Sequence, residues 1–321
     1  MLGTIGRILK WVLLLILVIG VALLALRSFR VLGGPALQPW HTYVPTELSA
    51  DQLDAADWTR YLAQEDEIMT SVRSEVSQKL APDQRVPINR YFEASPVYPA
   101  RFAQDWNRSY VMEPDGKPLG VVVLLHGLTD SPYSLRHFAR HYREHGFVTI
   151  GLRLPAHGTV PAGLSKVRWE DWMAATRLAI REARRRVPAP APLHLVGFSN
   201  GGALAMKYSL DALEDPRLAR AERIILFTPM IGITRFARFA GLASLPALLP
   251  PFANAAWLSV VPEFNPFKYN SFPVNGARQS FRLTDALQAQ IQRLARAGQL
   301  GGLPPVLTFQ SAIDFTVSTP A

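Results

Sequence analysis

The chain has 321 residues and no cysteine. That excludes a disulfide scaffold, thiolate ligation of zinc or an iron–sulfur cluster, and a cysteine nucleophile. Charge is sparse, at 18% of residues, against 49% hydrophobic. This balance excludes intrinsic disorder and is enough for a sizeable core. There is no phosphate-binding G-x-x-x-x-G-K-S/T loop and no dinucleotide fingerprint, so no nucleotide cofactor is implied. No internal repeat or low-complexity tract occurs. The net charge is +9, a balance that suits nucleic acid or an anionic membrane surface. The densest basic run is Arg181, Arg184, Arg185 and Arg186, at the end of a helix-like stretch and without interleaved aromatics. It reads as a solvated helix face with cations near the C-terminal dipole, and no nucleic-acid partner is expected.

The longest wholly apolar run lies at the start. Trp11 to Leu26 is wholly apolar, and Ile5, Ile8 and Leu9 extend it past Arg7 and Lys10. A span needs about 20 residues, and flanking Arg and Lys side chains that snorkel to the headgroups close the small gap. The segment Leu26-Arg27-Ser28-Phe29-Arg30 makes a poor cleavage site. Residues 5–27 therefore read as an uncleaved transmembrane anchor rather than a cleaved signal peptide. The expected location is a membrane, with a single N-terminal pass. Positive residues flank both ends, so the side that the soluble part faces stays open.

Residues 28–108 read as a Gly/Pro-rich linker followed by a helical arm. Ser49 looks like an N-cap, and apolar residues from Trp58 to Leu80 recur at helical spacing. This predicts one amphipathic helix over residues 50–80 with an acidic outer face. From residue 109 the pattern changes to alternating strands and helices. GVVVLL (Gly120 to Leu125) is a strand buried on both faces. FVTIGL (Phe147 to Leu152), LHLV (Leu193 to Val196), Ile224 to Phe227 and VLTF (Val306 to Phe309) are further strands, with helices over Tyr133–His145, Trp169–Val187 and Gly201–Leu213. Such alternation predicts an α/β fold with a mostly parallel sheet and helices on both faces. The core would occupy residues 109–231 and 304–321. Residues 232–303, with a helix over Thr284–Ala297, are too many for a loop and read as an inserted cap.

Gly197-Phe198-Ser199-Asn200-Gly201 is G-x-S-x-G, placed after a buried strand and before a helix of small residues. That context puts Ser199 on a sharp strand-to-helix turn as a candidate nucleophile. A serine hydroxyl also needs a base and an oxyanion hole. His126-Gly127-Leu128 follows GVVVLL, so the N–H groups of Leu128 and Asn200 are the expected oxyanion donors, and His126 reads as structural. His137, His141 and His145 repeat every four residues beside Arg136, Arg140 and Arg143 and read as a solvated face, not a metal site. Glu170 and Asp171 lack a partner pair and read as ordinary acids.

These motifs resemble the α/β-hydrolase family, in its monoacylglycerol lipase, carboxylesterase and serine aminopeptidase-like branch. The matching pieces are LLHGLTDSPYS (Leu124 to Ser134), GLRLPAHG (Gly151 to Gly158), RWEDW (Arg168 to Trp172), VGFSNGG (Val196 to Gly202) and Ser311 to Val317, across roughly residues 110–321. The resemblance implies an acid after the strand that follows the cap, and Asp314 matches it. GLRLPAHG is expected at the pocket rim. The family order is Ser, then Asp or Glu, then His. Here all seven histidines (His41, His126, His137, His141, His145, His157, His194) precede Ser199. The catalytic histidine is therefore not in this chain, and neither are the last strand and helix that the resemblance implies. The sequence reads as C-terminally truncated, with impaired activity and VLTF left as an exposed apolar edge.

The expected function of the complete protein is that of a membrane-anchored serine hydrolase. It would cleave lipophilic carboxylic esters, such as a monoacylglycerol or lysophospholipid, through an acyl-enzyme, with no metal or organic cofactor. The apolar cap residues Leu242, Leu245, Leu248, Leu249, Phe252, Trp257 and Leu258 either line the acyl pocket or pack the cap on the core. The alternatives are a peptidase or amidase of the same fold, or a catalytically dead interaction protein.

Overall fold

The computed structural model describes residues 2–232, 246–247 and 249–311. Its first element is a long helix, α1 (Leu2–Leu32). A short helix follows, α2 (Pro39–Thr42), which buries Trp40 and His41. The stretch read as linker is thus partly built in: Trp40 stacks on Tyr91 at 5.2 Å, and His41 meets Trp257 edge-on at 4.9 Å.

The arm differs from the single helix expected over 50–80. It divides into α3 (Ala50–Ala55), α4 (Trp58–Glu75) and a 3-10 turn at Ser77–Lys79. Ser49 caps α3 by accepting from the Gln52 N–H, as its position predicts. The break has a local cause. The Asp57 carboxylate accepts the Arg60 N–H at 2.8 Å and so starts a new helix two residues after α3 ends. The acidic face is not wholly solvated either, because Glu65 is buried. Trp58 and Tyr61 of α4 join the main core with Leu53 of α3.

The core is a six-stranded sheet in the order β1-β3-β2-β4-β5-β8. Its strands are β1 (Tyr110–Met112), β2 (Gly120–Leu125), β3 (Phe147–Leu152), β4 (Leu193–Phe198), β5 (Arg223–Phe227) and β8 (Val306–Phe309). β1 pairs antiparallel with β3, and every other pair is parallel. GVVVLL is buried at all six positions. Alternate side chains serve opposite layers, as the period of two requires. Val121, Val123 and Leu125 pack with α6 (Trp169–Arg186) and α7 (Asn200–Glu214), whereas Val122 and Leu124 pack with Leu135 and with Ala139 of α5 (Arg136–Glu144). Between β5 and β8 lie a small antiparallel pair, β6 (Trp257–Ser259) and β7 (Phe272–Pro273), and helix α8 (Val274–Arg296). α8 begins ten residues before the helix expected at Thr284. β8 has no second neighbour among the described residues and is exposed along its length.

Candidate active site

β2 and β4 run in parallel with Leu125 opposite Gly197, so the turns that leave them emerge side by side at the carboxyl end of the sheet. β2 is flanked by β3 and β4, so consecutive connections leave it in opposite directions and open a crevice there. Ser199 stands in this crevice with φ 52° and ψ −114°, a left-handed conformation that L-residues adopt at a cost. Its backbone is held on all sides. The Ser199 N–H donates to the Phe227 carbonyl at 3.0 Å, and its carbonyl accepts from the Gly202 N–H at 3.0 Å and the Met230 N–H at 2.9 Å. Its hydroxyl makes no hydrogen bond to a described residue, and the side chain is half-buried.

Close approach explains the glycines. A Cβ on Gly201 would lie 2.0 Å from the Leu125 carbonyl oxygen, so only glycine lets α7 start against the end of β2. A Cβ on Gly127 would lie 3.3 Å from the Ser199 Cβ, which sets the His126-Gly127-Leu128 turn beside the serine. Asn200 N–H opens α7, where the first N–H groups have no intrahelical partner. Neither it nor the Leu128 N–H donates to any described group.

His126 is fully buried. Its Nε2 accepts the Leu154 N–H at 3.0 Å, so the ring proton sits on Nδ1, which donates to the Gly127 carbonyl at 2.9 Å. Burial pushes its pKa well below 6.5. Both nitrogens are engaged in holding the turn, in line with a structural role. Asp130, also buried, accepts from the Ser134 hydroxyl, and burial raises its carboxyl above the usual range.

GLRLPAHG lies beneath the surface along its whole length rather than at a rim. Arg153 is its centre. This fully buried guanidinium forks onto Glu47 at 2.8 and 3.0 Å and lies 3.2 Å from Glu65. Glu65 also accepts from the Ser109 N–H at 3.0 Å and hydroxyl at 2.6 Å, and burial raises its carboxyl despite the arginine. Glu47 accepts the Ala156 N–H at 2.8 Å, and the Trp172 indole donates to Pro155 at 3.1 Å. The loop that presents Leu154 N–H to His126 is therefore tied to the arm. Sequence reading missed Glu47, Glu65 and Ser280. Only Arg153 sat in a flagged motif.

Asn200 is fully buried, and its Oδ1 accepts from the Ser280 hydroxyl of α8 at 2.9 Å. Asp171 caps α6 by accepting the Arg168 N–H at 2.8 Å and also holds the Ala50 N–H at 2.9 Å, a structural use. His157 is fully buried with its pKa lowered to about 4 by burial, His41 bonds Ser271 at 3.0 Å, and His194 sits near the amino end of β4 beside Tyr142. The rings of His141 on α5 and His145 just past its end lie 4.3 Å apart, and no group of three possible metal ligands occurs among the described residues. Asp314, Leu242, Leu245 and Leu248 lie outside the described residues. Of the remaining cap residues, Trp257 is buried against His41, while Leu249 and Leu258 are exposed.

The comparisons agree with this architecture. A family described as Hydrolase_4, serine aminopeptidase, S33, matches residues 116–318. Over 89 residues the chain is 30% identical to a thermostable monoacylglycerol lipase from Bacillus sp. (strain H-257), a match covering 28% of this chain and 34% of that relative. The match thus spans about a third of the relative's length. Among solved structures, that of the metagenome-derived lipolytic enzymes LipS and LipT superposes with a TM-score of 0.52 at 23% identity, covering 66% of this chain and 79% of that one. A soluble variant of monoglyceride lipase from Saccharomyces cerevisiae gives 0.48 at 13% identity, over 65% and 74%. The fold is that of the α/β-hydrolases.

Proposed function

The chain belongs to the serine aminopeptidase, S33, family, and on that premise we propose that it is a serine hydrolase cleaving lipophilic carboxylic esters through an acyl-enzyme on Ser199. The observation that carries this is the strained turn at Ser199, packed against the Gly127 turn, where the Ser199 hydroxyl and the Leu128 and Asn200 N–H groups have no hydrogen-bond partner among the described residues. In the proposed reaction Ser199 Oγ attacks the ester carbonyl, and the oxygen that becomes negative is held by the Leu128 and Asn200 N–H groups. The alcohol leaves and water releases the acid. The hydroxyl proton passes to a general base that Asp314 orients, and from there to the leaving alcohol. Among the described residues none of the seven histidines hydrogen-bonds to Ser199. The monoacylglycerol lipase relative supports the choice of ester.

The proposal includes a membrane anchor. Ile5–Leu26 is 22 residues long with mean hydropathy 2.8, and none of it is buried. The end of the helix lies against Pro250–Ala256, with Asn254 Nδ2 donating to the Pro35 carbonyl at 3.1 Å. Ile88, Leu258, Val261 and Phe264 are exposed large apolar residues of the soluble part, which suits an enzyme that meets its substrate at a bilayer.

The test is fluorophosphonate labelling and ester turnover by protein expressed from the full reading frame. Ser199→Ala is expected to abolish labelling and lower turnover on the order of a million-fold. Turnover that survives Ser199→Ala overturns the proposal. A second reading, amide or peptide cleavage at the same serine, is favoured by the family's description. Aminopeptidase substrates turned over in preference to esters would select it.

A further inference from the structure

Beside the loop after β3 lies a cleft of about 490 Å³, bounded by α4, by the segment from Arg90 to Arg108 and by Gly158–Thr159. None of the residues proposed for acyl transfer lines it. Arg90 does, and is 1% exposed. Its guanidinium makes two long contacts, 3.3 Å to the Lys268 carbonyl and 3.4 Å to Asn107 Oδ1, and its Nε has no partner. The rings of Tyr91 and Tyr269 lie 5.6 and 5.7 Å from its charged carbon. Arg90 forms no ion pair among the described residues. Glu263 feels its charge, but that carboxylate accepts from the Asn270 and Ser271 N–H groups instead.

The rest of the lining does not balance this charge. Arg73 pairs with Glu93 at 2.7 Å, and Arg108 pairs with Asp66 outside the lining and with Asp105 at 3.4 Å. Arg101, exposed at the mouth, bonds only the Ala94 carbonyl at 3.2 Å among the described residues. Two arginines, Arg90 at the floor and Arg101 at the mouth, make no ion pair among the described residues. A buried cation without an ion-pair partner is costly, and an anion that reaches it reduces that cost.

We propose that this cleft is a binding site for a small anion, a carboxylate or phosphate, held between Arg90 and Arg101. The hydroxyls of Ser77 and Thr70 add polar groups along the lining. The site does not depend on the hydrolase proposal, because none of its residues takes part in acyl transfer.

The test is titration calorimetry on the full chain in neutral detergent, with inorganic phosphate and with butyrate as separate probes and chloride at matched ionic strength as the blank. Saturable binding of one probe per chain is expected. A response to phosphate alone identifies a phosphate site, and a response to butyrate alone a carboxylate site. Arg101→Ala is expected to weaken binding about tenfold, the effect of losing one charge-assisted hydrogen bond, without moving the melting temperature of the anion-free protein. Arg90→Met is expected to abolish binding. Absence of saturable heat with both probes overturns the proposal, as does an unchanged affinity in Arg101→Ala.

Discussion

The loop after β3 and the cleft beside it each bury an arginine, and the two are satisfied in opposite ways. Arg153 and Arg90 are both withdrawn from water, and each lies near a tyrosine ring. Arg153 meets two carboxylates, donates to the His157 carbonyl at 3.1 Å and rests near Tyr61, whose hydroxyl bonds the Arg153 carbonyl. Arg90 meets only neutral acceptors at the far limit of hydrogen-bond distance. Desolvation penalises both charges, so the difference lies in what offsets it. Around Arg153 the offset is internal and fixes a loop to the arm. Around Arg90 it is incomplete, and the deficit faces a cleft. Burial of a charge thus separates a structural tie from a candidate binding site only when its partners are counted.

Substitution of the two arginines by the same residue tests this contrast most severely. Arg153→Met leaves Glu47 and Glu65 without their cation and should cost about 3–5 kcal/mol in thermal or denaturant unfolding. A loss under about 1 kcal/mol would mean that the ion pairs only balance their own desolvation. The histidine between the two regions gives the next effect. His157 has its pKa lowered from 6.5 to about 4, because burial excludes the charged ring. Between those values the unfolded chain binds the proton more readily, so this group's contribution is present above pH 6.5 and is lost as pH falls toward 4. The stability difference between wild type and His157→Gln should therefore shift against the wild type by up to about 3 kcal/mol across that window. Parallel unfolding curves at every pH would show that the ring is solvated. The smallest effect is expected for Arg90→Met, which removes an unpaired charge and keeps the apolar stem. Its stability should stay within about 1 kcal/mol of wild type or rise. A cost equal to that of Arg153→Met would erase the distinction.

Much of the fold could be read from the sequence because its strands carry their own signature. GVVVLL, FVTIGL and VLTF form strands over the expected residues. The same is true of G-x-S-x-G, since a strand, a serine and a helix of small residues are contiguous. The Glu47–Arg153–Glu65 tie was not legible: its members lie 106 and 88 positions apart, and an acid on an amphipathic helix looks solvated until the loop beneath it is known. The arm was misread as one helix because the Ser49 N-cap was joined to the apolar run from Trp58, across Asp57, whose carboxylate caps a second helix. GLRLPAHG was misplaced at a rim because its motif indicates proximity to the site but not depth. VLTF was expected as an exposed apolar edge, and its four residues are exposed, with no second strand beside them among the described residues.

At residue 199 the backbone and the reaction ask for different amino acids. A φ of 52° is one that glycine adopts freely, whereas the proposed chemistry needs an oxygen on a Cβ. The surrounding hydrogen bonds to Phe227, Gly202 and Met230 force the serine into a shape that its own preferences oppose. The position is therefore a point of frustration in an otherwise mutually supportive core, where selection for stability alone would drift toward glycine. Under the proposed function, the serine there is accounted for by the chemistry rather than by the backbone.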